Sequence, residues 1–475
     1  MQFNRWVVTA AILAVYGSGN SASADESTAE TIKALQQQIE QLDQKVRVLE
    51  RKDELEKETL AEKAKTTPTV SVGTSGLQVR SADSNFVFNL RGYVQADGRF
   101  GVGSSAEPYS DTFLLRRVRP IFDGTLYKKI DYRVMLDFAS GTTSSGFTST
   151  SSNDGFVQDA YVNARFLPGL QLQVGKMKEP VGLERLQSGA NLLFVERAYP
   201  TALVPNRDVG VMLQGDLFGQ RLSYQVGGFN GVSDGGSTDF ETLDDGKNLA
   251  ARLFTQPFLG SGVEALEGFG IGVAGTYGNL DGPLRGYTSP GQQTNFVYRA
   301  GTGANPNVVA DGQQWRIVPQ GWYYWGPFGL FGEYAVSSQE VRQAGGGATA
   351  GATDTLVNKA WQVSASWFLT GEKNSWKAVT PKKPLNFSGD GGWGAVELVA
   401  RVQGLDIDAD AFPVFANPDV SINSAFAWAV GVNWHLNRNL KLSLDYEHTD
   451  FEGGDQNPNT AQAEQVLFGR VQFSF

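Results

Sequence analysis

The chain has no cysteine and only two histidines in 475 residues. Disulfide frameworks and thiol nucleophiles are therefore excluded, and zinc sites nearly so. Basic charge is in deficit: 40 Lys and Arg against 50 Asp and Glu leave a net charge of -10, which argues against nucleic acid as a partner of the whole molecule. After residue 24 no run approaches the ~18 apolar residues of a membrane-spanning helix. What the chain does have is 56 Gly, 29 Phe, 15 Tyr and 10 Trp. That is too rich in rings for a chain disordered throughout.

Residues 1–24 read as an export signal. Arg5 supplies the positive start, Trp6 to Tyr16 the apolar stretch, and Ala22-Ser23-Ala24 a small-residue cleavage site. In residues 25–68, apolar side chains fall at Ile32, Leu35, Ile39, Leu42, Val46 and Leu49, in alternating steps of three and four. This spacing predicts a short periplasmic coiled coil. Its a and d residues favour a dimer, whereas Lys45-Val46 with Leu49-Glu50 favours a trimer; a single amphipathic helix on another surface is the alternative. Residues 50–68 read as a charged linker.

From Phe86 the period changes to two. Phe86, Phe88, Leu90, Val94 and Ala96 share one parity, while Asn89, Arg91, Tyr93, Gln95, Asp97 and Arg99 share the other. Successive strand side chains point to opposite faces, so such a segment has one greasy and one charged side. About sixteen segments of this kind begin near 86, 112, 131, 156, 169, 208, 220, 247, 268, 313, 328, 358, 392, 424, 439 and 464. The expected fold is all-β: a 16-stranded antiparallel transmembrane β-barrel over residues 69–475, preceded by the N-terminal helix. Closure pairs every backbone amide within lipid, and a barrel of this size encloses water. The clusters Trp322-Tyr323-Tyr324-Trp325 and Trp434 suit its interfacial girdles, and a last strand ending at Phe475 suits an outer-membrane location.

Function then rests on the inward parity. Arg91, Arg99, Arg119, Arg133 and Asp159 are expected to face the lumen as a wall of mixed charge. The stretch Gln171 to Arg207 is locally basic, with Lys176, Lys178, Arg185, Arg197 and Arg207 against Glu179, Glu184 and Glu196. Its Pro180, Gly182 and Gly189 interrupt strand pairing, which predicts a long segment between the fifth and sixth strands that folds into the lumen.

Three motifs resemble one family. They are Phe86-Val-Phe-Asn-Leu-Arg-Gly-Tyr-Val-Gln-Ala-Asp97, Leu115-Arg-Arg-Val-Arg-Pro-Ile-Phe-Asp-Gly-Thr-Leu-Tyr127, and Gly175-Lys-Met-Lys-Glu-Pro-Val-Gly-Leu-Glu-Arg185. They are similar to the phosphate-selective outer-membrane porins. The resemblance implies a homotrimer of anion channels in outer-membrane lipid that bind inorganic phosphate or another small anion in transit. It also implies a constriction at Arg116, Arg117 and Arg185, with Lys176 and Lys178 behind them, and no cofactor, metal or catalytic residue. Arg185 stands where phosphate-specific members carry lysine, a planar fork in place of a compact ammonium. The family's lysines before the first long strand are reduced here to Arg80, and its mid-chain arginine ladder to Arg285 and Arg299. A general or sugar-selective porin of the same fold, and a tether to the cell wall through the N-terminal helix, remain alternative readings.

Gly231-Val-Ser-Asp-Gly235 and Gly270-Ile-Gly-Val-Ala-Gly275 match nucleophile-elbow and dinucleotide spacings. Neither has the strand-to-helix setting that those chemistries need. Asp406-Ile-Asp-Ala-Asp410 opens like a calcium loop but lacks its glycine and closing glutamate.

Overall fold

A computed structural model of the protein describes residues 25–103, 111–139, 156–239, 245–301, 308–344, 349–386, 389 and 391–475. The export signal at residues 1–24 lies outside them. The chain divides into two units, residues 1–68 and 69–475.

In the first unit, α1 (Asp25–Thr66) is one continuous helix. The expected coiled-coil stripe is on it: Ile32, Leu35, Ile39, Leu42, Val46 and Leu49 are all exposed. The linker expected at 50–68 is helical through Thr66 instead. The segment is rich in Leu, Lys and Glu, which are good helix formers, and i,i+3 or i,i+4 ion pairs support it at Arg51–Glu54 and Asp53–Lys57. Charge without apolar periodicity thus extends the helix but not its greasy seam.

The second unit is a closed barrel. Its strands are β3 (Phe86–Gly101), β4 (Thr112–Leu126), β5 (Ile130–Leu136), β6 (Val157–Leu167), β7 (Leu170–Lys178), β8 (Arg207–Leu217), β9 (Leu222–Phe229) and β10 (Asn248–Thr255). They continue as β11 (Phe269–Pro283), β14 (Val308–Trp325), β15 (Phe328–Gln343), β16 (Thr353–Phe368), β17 (Ala395–Asp406), β18 (Ile422–His435), β19 (Leu440–Gly453) and β20 (Glu464–Ser474). Each pairs antiparallel with the next, and β20 closes on β3 from Val466↔Gly101 to Ser474↔Tyr93. That is the 16-stranded antiparallel cylinder the alternation predicts. Two smaller hairpins add to it. β1 (Thr69–Gly73) and β2 (Gly76–Arg80) prolong the wall beside the start of β3, and β12 (Tyr287–Thr288) pairs with β13 (Thr294–Phe296) in a connection.

The outer face is apolar, with Phe113, Val134, Val162, Val174, Val211, Leu253, Ile317, Val363, Val430 and Val471 all exposed. In water this surface would be costly, whereas against lipid it is the favoured side. One end of the barrel carries short turns such as 127–129, 168–169 and 326–327, the periplasmic pattern. The girdle reading needs one correction: Trp325 is exposed, but Trp322 shares the inward parity and packs on Phe254 and Trp376. Four successive rings on one strand cannot all face the lipid.

Inside, a large apolar cluster joins the upper inner wall (Ala274, Val318, Ala335, Val341, Leu356, Ala360, Leu405, Ala425) to Tyr287 and Phe296 of the 284–307 connection and Phe415 of the 407–421 connection. This part of the lumen is filled by protein.

Candidate functional site

β7 ends at Lys178, and residues 179–206 then leave the wall and cross the lumen. Two single helical turns, α2 (Leu183–Leu186) and α3 (Pro200–Leu203), interrupt an otherwise extended path. Backbone drawn away from its ladder must find other partners, and both walls supply them. Leu183 N and Glu184 N donate to the Glu333 carboxylate at 2.6 and 3.1 Å. Val195 N donates to Asp445 at 2.6 Å, and Tyr199 N to the Gln403 amide oxygen at 2.8 Å. In the other direction, Gln95 donates to Gly189 O and Gln472 to Ala190 O, at 2.8 and 2.9 Å. The segment therefore bridges β15–β19 on one side and β3 and β20 on the other.

The predicted cations cluster against this bridge. On a regular strand Arg116 and Arg117 would face opposite ways. Here Gln95 pairs with Arg117 and Ala96 with Leu115, so Arg116 is the extra residue of a bulge and both guanidinium groups turn inward. Arg116 donates to Glu196 of the bridge at 2.6 Å, and Arg99 reaches the same carboxylate at 2.7 Å. Burial alone would raise the Glu196 carboxyl, but Arg116 and Arg99 beside it hold it well below the usual carboxylate range. Arg117 is nearly inaccessible and donates only to Gln95, at 2.8 Å; it has no carboxylate partner among the described residues.

Lys178 donates to Gln187 O at 2.8 Å and Leu186 O at 3.3 Å. Arg197, which the sequence places in the basic stretch without singling it out, donates to Gln187 O at 3.0 Å and Glu184 O at 3.4 Å. Arg185 bonds the Thr201 carbonyl. Carbonyls satisfy hydrogen-bond geometry without cancelling charge, so Lys178 and Arg197 keep theirs.

Several other inward cations have carboxylate partners. Arg119 pairs with Asp137 at 2.7 Å and touches Tyr93 Oη at 3.0 Å. Arg133 and Arg207 share Asp159 at 3.1 and 2.8 Å, and Arg91 pairs with Asp123. Lys176 is buried, lies in register with Ala160 and Val209, and pairs with Asp239. Among the described residues no group of three or more His, Cys, Asp or Glu is placed to hold a metal ion.

A family model described as phosphate-selective porin O and P matches residues 88–475. Porin O of Pseudomonas aeruginosa is 25% identical over 397 residues, covering 78% of this chain and 84% of its own length. Among solved structures, the outer-membrane channel DcaP of Acinetobacter baumannii superposes with a TM-score of 0.51 at 12% identity. That match covers 83% of this chain and 99% of DcaP and concerns the fold alone. The cylinder, its apolar exterior and the match across most of the barrel agree: the chain is an outer-membrane porin, a channel and not an enzyme, and it belongs to the phosphate-selective porin O and P family.

Proposed function

We propose that this porin passes small anions, phosphate or related oxyanions, by passive diffusion past the basic side of the bridge. The observation that carries the reading is the choice of partners at Arg117, Lys178 and Arg197: amide and carbonyl oxygens in place of carboxylates. A buried guanidinium without a counter-charge costs several kcal/mol, and an anion in transit supplies that charge. Arginine forks form charge-assisted bonds to oxyanions that replace part of their hydration. Arg185 lines the same segment, while Arg116 is largely neutralised by Glu196 and acts more on position than on charge.

The test is reversal potential in planar bilayers under a KCl gradient, with phosphate then added as a competitor for chloride current. An anion-selective channel whose chloride current phosphate reduces supports the reading; cation selectivity overturns it. We further infer that the protein is a homotrimer whose α1 helices associate in the periplasm. The exposed stripe from Ile32 to Leu49 offers the surface such a coil buries. Cross-linking the protein with and without residues 25–66 tests this.

A further inference from the structure

Between residues 187–193 of the bridge and the 369–394 connection at the short-turn end lies a cavity of about 200 Å³. Its lining includes apolar groups: Tyr324, Phe331 and Leu193. Phe331 is held edge-on to Trp376 at 5.6 Å, and Trp376 stacks on Trp322 at 5.2 Å, so this surface is braced by rings on two elements. The lining also carries three cations: Lys441, Lys377 and Arg438. Lys441 is buried and donates to Leu192 O at 2.8 Å, leaving two ammonium hydrogens for another acceptor. None of the three makes an ion pair among the described residues. The lining also holds one carboxylate, Glu397, bonded to Asn433 and His435 at 3.2 Å each, against three cations, while the lining Arg91 is held by Asp123.

We propose that this cavity is a binding station for small organic anions with a flat apolar body. The carboxylate lies toward Lys441 and Lys377, and the body lies against Tyr324 and Phe331. The inference deepens the anion-channel reading and rests on it. An inorganic oxyanion gains nothing from apolar lining, whereas a ring carboxylate gains from both kinds of group, because apolar burial and charge pairing act on different parts of one molecule. A space of this size suits one small organic ion; it is below the range of drug-sized pockets.

The experiment uses the full mature protein with benzoate, acetate and phosphate as probes. Chloride current is titrated with each, and calorimetry in detergent reads binding independently of current. Benzoate is expected to act at a concentration about tenfold below that of acetate. Tyr324→Ser should bring that ratio toward one, and Lys377→Gln, an exposed position, should weaken both carboxylates about threefold. Lys441→Gln should weaken them further. Equal action of benzoate and acetate, or a ratio unmoved by Tyr324→Ser, overturns the proposal. Cation-selective wild-type current overturns the channel reading instead, and the calorimetric ratio still decides the cavity.

Discussion

The two sides of the lumen are built on opposite principles. Along β3 to β6 the inward parity is charged, with Arg91, Arg99, Arg117, Arg119, Asp123, Arg133 and Asp159. Along the upper parts of β11 to β18 the inward parity is Ala274, Val318, Ala335, Val341, Ala360, Leu405 and Ala425, packed against loop side chains such as Phe296 and Phe415. The first is a wall that needs water or ions; the second is a protein core that happens to lie inside a cylinder. The difference teaches that a barrel of this circumference need not be open across its width. Apolar inward residues recruit connections to cover them, and the charged arc is left to the solute.

The largest expected effect comes from inverting the charged side. Arg117→Glu with Lys178→Glu should turn an anion-selective channel cation-selective, read as a change of sign in reversal potential; an unchanged anion preference would place the filter elsewhere. Arg185→Glu should move the potential the same way but less far, since Arg185 is one of several cations on that segment.

Next is the dry side. Phe296 is wholly buried and packs on Tyr287 at 5.3 Å and Tyr298 at 4.9 Å. Phe296→Ala should cost about 3–5 kcal/mol of loop packing. Conductance and protease cleavage within residues 284–307 should rise while selectivity stays near wild type. A change in selectivity without added cleavage would mean the two sides are not separate.

A smaller effect is expected at the hinge. Glu179, where the bridge leaves β7, is fully buried, and neither carboxyl oxygen has a partner among the described residues. Burial first, then Asp208 beside it, push its carboxyl up to about 8, against an attraction from Arg316. In a released segment the group returns to its ordinary 4.5. The docked form therefore holds a proton that the released form gives up. Docking is fully supported below about pH 4.5 and loses that support as pH rises toward about 8. Conductance should climb across this window and then level off, and Glu179→Gln should flatten the climb. A rise that persists in the variant would assign it to other groups.

The smallest effect is expected from Glu196→Gln. Removing the carboxylate that holds Arg99 and Arg116 should strengthen anion preference slightly, read as a shift of a few millivolts, while the backbone contacts keep the bridge in place.

Much of this was written in the sequence, for physical reasons. Strand starts read near 86, 112, 208, 328 and 464 lie within a residue of β3, β4, β8, β15 and β20, because one face meets lipid and the other meets charge. The inward bridge was legible because Pro180 cannot donate to a ladder and Gly182 and Gly189 weaken one. The bulge at Arg116 was not. Alternation assigns adjacent residues to opposite faces, and nothing in Arg-Arg marks the extra residue. The dry side was hidden as well, since strands such as β18, with Ala425 and Ala427 inside and Phe426 and Trp428 outside, are apolar on both faces. Lys176 and Lys178 read alike in one basic motif, yet Lys176 pairs with Asp239 while Lys178 bonds carbonyls of the bridge, a difference in partners that spacing does not carry.

Much of the bridge's hydrogen bonding runs through its main chain. Amides of Leu183, Glu184, Val195 and Tyr199 seek the acidic and amide groups of the far wall, and carbonyls of Gln187, Gly189, Ala190 and Leu192 receive donors from other sides. Peptide groups are common to nearly every residue type, so this part of the fastening does not depend on particular side chains, whereas buried Val181, Leu183, Phe194, Val195 and Leu203 add packing that does. Proline at a donating position would break it, whereas exchanges among solvent-facing residues leave it intact. Such a scaffold can acquire a new solute preference by rewriting a few side chains, without having to learn again how to fold.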